Sequence, residues 1–505
     1  MEERLRIIKQ ILNTLFYRII GIVISSLRLF IATKNFSEEN YGVYSLLTAF
    51  IGPGVYIFGL SIYSYLNRSV PGQTKEKQIS LLKTLLFLET GFSIIFVLLI
   101  TATTLSSFIC SKLNMSQYQL LFNFTLAFIV VQIIASDINR YISALKEIEY
   151  ANFVSFFASG FWILLLGLLW VLGFRITLWL FFIIWAFGNI ASIIVGLYRV
   201  NVGNLFRARF DTTIIKSALL FSLPMVLVSV GTELINSSTI LLISYKESVS
   251  SPGILGLAYR PLQVIMDYVI GISSTVFVPY LIESHNIKNE DRKNYFLSII
   301  IKYTLLVALP IMAGLVIGRY DVLTFLRKSG EDITASAQLI PIYVFLPIIN
   351  VFIYPFHYGL FLSNKTLLLG GIYVLCGIVN IVLNNYFIPI YSYYGAAVIT
   401  VISQGLVLVF LYLFARRSIH LKWDFIRIGR LFVITVVTGA AAFFIYPYLS
   451  AIPWLFVRLS AFGCIILLLY IPVLFIASVF NENELDVFRK IKRKAFEKLP
   501  VNFWE

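Results

Sequence analysis

A chain of 505 residues in which 59% are hydrophobic and 13% charged, with a mean hydropathy of +0.88, is excluded from the ordinary soluble domains and reads as a polytopic membrane protein. Its 40 Lys and Arg against 25 Asp and Glu give a net charge of +15. The basic residues gather in alternate loops, as in Arg199, Arg207, Arg209 and Lys216, then Arg416, Arg417, Lys422, Arg427 and Arg430. By the positive-inside rule this places both termini in the cytoplasm and makes membrane lipid headgroups, with no nucleic acid, the partner of the basic excess.

In chain order, apolar runs mark about fourteen spans, at 8–33, 41–65, 79–109, 118–145, 151–173, 176–198, 214–245, 253–282, 294–318, 335–362, 366–388, 393–415, 429–448 and 454–478, since a crossing needs about 20 residues. The charged start runs straight into the first of these, with no short apolar core and cleavage site, so the first helix is expected to stay. Asn40-Tyr41-Gly42-Val43-Tyr44 at the start of the second span is echoed by Gly256-Leu257-Ala258-Tyr259-Arg260 in the eighth. A repeat of six helices keeps both copies in one orientation, so the expected fold is an all-α integral membrane protein of two six-helix lobes. A pseudo-two-fold axis along the membrane normal relates the lobes, and two extra helices follow at the C-terminus. The expected divisions are 1–212 for the N-terminal lobe, 213–418 for the C-terminal lobe, 419–480 for the added helices and 481–505 for a basic cytoplasmic tail resting on the inner leaflet.

Charges inside spans are costly and so informative, about 2.5–3.5 kcal/mol for an arginine at a helix centre. On the first span, Thr14, Arg18, Gly21, Ser25 and Arg28 share one helical face. The eighth repeats the pattern with Arg260, Gln263, Asp267, Gly271 and Ser274, and the seventh carries Ser222, Ser229, Glu233 and Asn236. Three polar stripes point to one hydrated cavity between the lobes, with Arg18, Arg28 and Arg260 attracting an anionic cargo. Ser25, Gln263 and Asn236 supply neutral polar groups, and Glu89, Glu233 and Asp267 are the acids that could titrate. The competing account pairs Arg18 with Glu89 and Arg260 with Asp267 as buried ion pairs that only hold the bundle. Lys83, Lys302 and Arg458 lie near span ends, where snorkelling explains them. Asp137 and Arg140 are expected to form a structural pair, His357 to be interfacial, and in-span prolines (Pro53, Pro224, Pro261, Pro310, Pro347, Pro355, Pro472) to kink helices. Cys110, Cys376 and Cys464 lie in apolar runs and suggest neither a disulfide nor a metal. No Gly-Lys-Ser or Gly-Lys-Thr phosphate loop occurs, and the outer loops are too short for a glycosyltransferase or polymerase site, so no cofactor and no enzymatic role are expected.

Asn380-Ile381-Val382-Leu383-Asn384, Ile388-Pro389 and Gly395-Ala396-Ala397 through Ser403, with Phe36-Ser37-Glu38-Glu39-Asn40-Tyr41-Gly42-Val43-Tyr44 near the start, resemble the polysaccharide-transporter (Wzx-like) lipid-linked oligosaccharide flippases. These belong to the superfamily that also holds multidrug exporters. The resemblance implies a V-shaped molecule that opens inward and outward, moving a polyprenyl-pyrophosphate oligosaccharide for O-antigen, capsule or exopolysaccharide synthesis. It also implies cavity arginines on the pyrophosphate, coupling to protons or sodium, a cell inner-membrane location, and work beside a polymerase and glycosyltransferases. Many relatives carry an Asp late in the seventh span where this chain has Asn236-Ser237-Ser238, which leaves Glu233 as the nearest acid. The alternatives are a cation-coupled multidrug exporter, which would want a negative cavity, a membrane glycosyltransferase or polymerase, and a non-transporting scaffold.

Overall fold

The computed structural model describes residues 17, 20, 21, 23–62, 65, 66, 69–71, 73–145, 147–265, 269, 281, 284, 289–327, 333–363, 365–416 and 424–480. Arg18, Asp267, Gly271, Ser274, Thr14 and the basic tail lie outside them. Among the described residues the fold is all helical, and eleven helices are long and apolar enough to cross a membrane. Leu98, Leu168, Val171, Ile194, Val436 and Leu468 are among the many large apolar side chains left exposed on them, as a lipid-facing surface requires.

The N-terminal helices are α1 (23–35), α2 (Glu38–Phe58), α3 (Lys75–Thr101), α4 (Gln119–Ala144), α5 (Ile148–Val171) and α6 (Leu178–Val200). Ser37 caps α2 by accepting the Asn40 N–H at 3.3 Å, with Glu38 and Glu39 in the first turn, where a carboxylate complements the helix dipole. Thr177 caps α6 in the same way through Leu180 N–H. The second span ends earlier than its apolar run suggests, because Leu60 and Ser61 turn left-handed (φ 51° and 49°) after Gly59. Within α5 the turn Phe157–Phe161 is π-helical. Gly160 and Gly188 let α5 come close to α1 and α6, since a Cβ on either would meet Ile24 at 2.9 Å or Trp162 at 2.7 Å.

The later helices are α7 (Thr213–Asn236), α8 (Ser238–Lys246), α9 (Ser251–Ile265), α10 (Glu290–Ile317), α11 (Arg319–Leu326), α12 (Thr334–Tyr343), α13 (Phe345–Leu362), α14 (Thr366–Ala415), α15 (Phe425–Ile445) and α16 (Leu455–Ile476). The spans expected at 214–245 and 335–362 are each divided, at Ser237 and Val344. The two expected at 366–388 and 393–415 are joined through Ser392 (φ 51°, ψ −139°). The chain folds back there: Asn380 Nδ2 donates to Ser403 Oγ at 3.0 Å, impossible in a straight helix, where 23 residues would span about 35 Å. Six of the seven in-span prolines lie within helix interiors, whereas Pro347 is the third residue of α13, a position that needs no intrahelical N–H bond and so gives no kink.

Contact between the two groups of helices is tightest at the Glu38 end. Gly42 has no room for a side chain, because a Cβ would lie 1.8 Å from the Val249 carbonyl oxygen. Gly256 faces Ser45, and Gly253 faces the Glu38 carbonyl. The two echoing sequence segments thus meet each other, α2 against α9. Arg327 reinforces this end by pairing with Glu38 at 3.2 Å, and Lys34 donates to the Arg327 carbonyl.

Candidate functional site

A cavity of about 640 Å³ lies beneath that closed end, within the range that encloses a small-molecule ligand. Its walls come from α1 (Ser25, Arg28), α2 (Tyr44, Gly52, Tyr56), α4 (Gln132, Ser136, Asn139), α5 (Asn152, Phe156, Ser159), α6 (Trp185, Asn189) and α9 (Arg260, Gln263). Both described arginines of the expected set therefore share one cavity, with Ser25 and Gln263. Arg28 stands over the Trp185 ring at 6.0 Å and Arg260 over Tyr44 at 5.9 Å, orientations that favour a cation over an aromatic face. Arg260 also donates to Gln263 Oε1 at 2.9 Å and to Thr48 Oγ1 at 2.5 Å. These neutral acceptors fix the guanidinium without pairing it to a carboxylate. Tyr41, buried beside them, is within electrostatic reach of Arg28, Arg260 and Arg327, so positive potential is concentrated at the closed end of the cavity. Among the described residues no acid lines it.

The seventh span does not line this cavity. Gly231 on α7 meets the backbone of Tyr373 and Val374, and Gly370 and Gly377 on α14 meet α7 in turn. That backbone contact carries α7 toward α14, which Asn236 meets from the last turn of α7. Asn236 accepts from Gln404 at 3.2 Å and borders a separate small void with Thr239, Tyr259 and Thr400. Glu233 stands behind the cavity wall, its carboxylate accepting from Ser237 at 2.7 Å and packed against Gly52, within electrostatic reach of Arg260. The Asn380 and Asn384 pair lies in the same joint. Asn380 Oδ1 accepts from Ser238, Thr239 and Asn384 at 3.2, 3.3 and 2.9 Å, so these asparagines tie α14 to α8.

Glu89 is 2% exposed on α3 and lies outside the cavity. Its carboxyl group lies within electrostatic reach of Asp137 and Arg140 and packs on Gly59 where α2 breaks. Asp137 and Arg140, expected as a pair, thus sit with Glu89 in one buried group of three. The alternative pairings of Arg18 with Glu89 and Arg260 with Asp267 each involve a residue outside the described ones. Lys83 and Arg458 do more than snorkel: Lys83 caps Phe206 and Ala208 carbonyls at 2.7 and 2.9 Å, and Arg458 binds Asp321 at 3.0 Å. His357 is half-buried, with its Nδ1 3.2 Å from the Tyr373 hydroxyl.

The model of the family described as "Polysaccharide biosynthesis protein" matches residues 34–327, more than half of the chain. The chain belongs to the polysaccharide biosynthesis protein family. No curated protein sequence matches it. Among solved structures, this family member is similar to one titled "Lipid II flippase MurJ, inward closed conformation", with TM-score 0.65 and 17% identity over 93% of this chain and 99% of that one. It is also similar to inward-facing and outward-facing multidrug resistance MATE transporters of the MOP superfamily, with TM-scores of 0.56 and 0.57 and 14% identity to each. Those matches cover 80% and 81% of this chain and 97% and 95% of theirs. At such identities the likeness is one of fold: a helical membrane fold shared by flippases and exporters, as the resemblance implied.

The neutral polar wall of α4, α5 and α6 was missed by reading charges alone. Gln132, Ser136 and Asn139 recur at helical steps of four and three, and Trp185, Asn189 and Ser192 do the same. The stripe pattern that picked out the first span was thus present, without an arginine to draw attention to it.

Proposed function

We propose that this protein is a flippase that carries a polyprenyl-pyrophosphate-linked oligosaccharide from the cytoplasmic to the outer leaflet by alternating access, in the synthesis of a cell-surface polysaccharide. The observation that carries this reading is the placing of Arg28 and Arg260 in one cavity with no acid among its described lining, in a member of the polysaccharide biosynthesis protein family. Guanidinium groups, that of Arg260 held by neutral acceptors and that of Arg28 over an aromatic ring, are suited to paired phosphate oxygens. Basic loops at the end opposite Glu38 assign that end to the cytoplasm of a cell inner membrane, so the closed Glu38 end faces outward and the cavity is open to cytoplasmic loading. Arg18, by its spacing from Ser25 and Arg28, belongs to the same anion path. Proton or sodium entry would drive the cycle, with Glu89, buried in electrostatic reach of Asp137 and Arg140, as the acid whose charge changes with the state. A polymerase and glycosyltransferases would act beside the protein. A cationic-drug exporter is disfavoured because its cargo would meet arginines without acids.

Binding of a short-chain polyprenyl pyrophosphate to purified protein tests the reading, with Arg28→Gln and Arg260→Gln beside wild type. Each variant is expected to bind about tenfold or more weakly, the worth of one charge-assisted contact. Equal binding by wild type and the double variant would overturn the assignment of the anion site.

A further inference from the structure

The cavity is asymmetric: its charge sits on α1 and α9, while the wall built by α4, α5 and α6 carries only amides, hydroxyls, small and aromatic side chains. All three of these helices are completely described, and their charged residues Asp137, Arg140, Glu149 and Arg199 do not line the cavity. We infer that this wall is a subsite for an uncharged, hydroxyl-bearing sugar, the unit of the glycan next to the pyrophosphate. The inference rests on the flippase reading and names the cargo class of the same site.

Several independent features support it. Gln132, Asn139, Asn152, Ser159 and Asn189 approach the cavity from three helices, and amides and hydroxyls both donate to and accept from sugar hydroxyls. Gln132 Oε1 and Asn139 Oδ1 are shielded from solvent without a hydrogen-bond partner, a costly state in a protein interior that a ligand hydroxyl would relieve. A half-turn of either amide exchanges its oxygen and nitrogen, so each can present a donor or an acceptor to the cavity. Ser136 and Ser159 give their protons to helix carbonyls at 2.9 and 2.8 Å, which leaves their oxygens as acceptors. Ala158, Ser159 and Gly160 at the cavity surface all belong to the π-turn Phe157–Phe161, and such turns inside α-helices are frequent at functional sites. Phe156 adds an apolar face for sugar C–H groups.

The same wall rejects charge. A uronate or phosphorylated sugar placed there would be withdrawn from water with no counter-charge among the residues of α4, α5 and α6 that line the cavity, while Arg28 and Arg260 are engaged by the pyrophosphate; a buried charge without a partner is strongly disfavoured. The subsite therefore selects by charge at the first sugar and leaves more distant units of the glycan free to vary.

Three probes decide the matter on full-length protein in nanodiscs: a short polyprenyl pyrophosphate, its glucosyl derivative and its glucuronyl derivative. Wild type is expected to bind the glucosyl lipid about tenfold more tightly than either of the others, the scale of one or two net hydrogen bonds. Gln132→Leu with Asn139→Leu is expected to reduce binding of the glucosyl lipid to the level of the bare lipid. Gln132→Lys is expected to turn the preference toward the glucuronyl lipid, a gain that misfolding cannot produce. Equal or tighter glucuronyl binding by wild type, or a preference unmoved in both variants, would overturn the subsite while leaving the flippase reading intact. Failure of wild type to bind any of the three would overturn both.

Discussion

Gly42→Ala tests whether the Glu38 end is a gate. An alanine Cβ would sit 1.8 Å from the Val249 carbonyl oxygen and 2.8 Å from the carbonyl carbon, and both are backbone atoms that cannot rotate aside. Real Cβ contacts do not fall below 3.0 Å, so α2 and the 248–250 turn must part by at least about 1.2 Å. Overpacking of this kind costs about 1–3 kcal/mol. In a rigid protein that cost would lower stability. In an alternating transporter it falls on the closed state alone, because opening this end separates α2 from α9, and it then shifts the balance toward the open state by about 5- to 150-fold. Spin labels at the exposed Ser111 and Thr324, in a Cys464→Ser background, read the separation by electron–electron distance measurement. The variant is expected to gain a longer-distance population, whereas Gly405→Ala, where nothing lies within 4 Å of a new Cβ, is expected to match wild type. A distance distribution unchanged by Gly42→Ala, in protein as stable as wild type, would refute the gate.

Gly231→Ala places a Cβ 2.4 Å from the backbone of Tyr373 and Val374, and thermal unfolding in detergent is expected to show a loss of about 1–3 kcal/mol, with Gly371→Ala, which meets nothing within 4 Å, unchanged. Glu89→Gln keeps the shape of this buried side chain and fixes it in a neutral form, so expression and folding are expected to survive while the pH dependence of transport flattens. A pH profile identical to wild type in both Glu89→Gln and Asp137→Asn would remove this pair from coupling.

Much of this was legible because membranes impose severe costs. An arginine in an apolar span must find protein or water, and Arg28 and Arg260 do share a cavity. The echo around Gly42 and Gly256, read as a sign of a repeat, falls on two segments that the structure packs on each other, where small residues allow close approach. Helical periodicity fails where the deciding fact is a neighbour. The α7 stripe gives no sign that Gly231 will press α7 onto α14 and draw Asn236 toward Gln404. The meeting of Glu89 with Asp137, 48 positions apart on antiparallel helices, is likewise a matter of tertiary register. Neutral cavity residues such as Asn139 carry no large penalty that would single them out, because isolated amides can satisfy themselves on their own helix, as Asn189 does on the Trp185 carbonyl.

Leaflet reversal tests the central claim most directly. Sealed proteoliposomes carrying a polyprenyl-pyrophosphate-linked oligosaccharide in the cytoplasm-equivalent leaflet are probed with an impermeant lectin, with wild type, Arg28→Gln with Arg260→Gln, and empty liposomes compared. Wild type is expected to move the glycan to the far leaflet, and the double variant, folded by thermal unfolding, to slow that movement about tenfold or more. Transfer by the double variant at the wild-type rate, or by wild type at the rate of empty liposomes, would contradict an arginine-lined flippase.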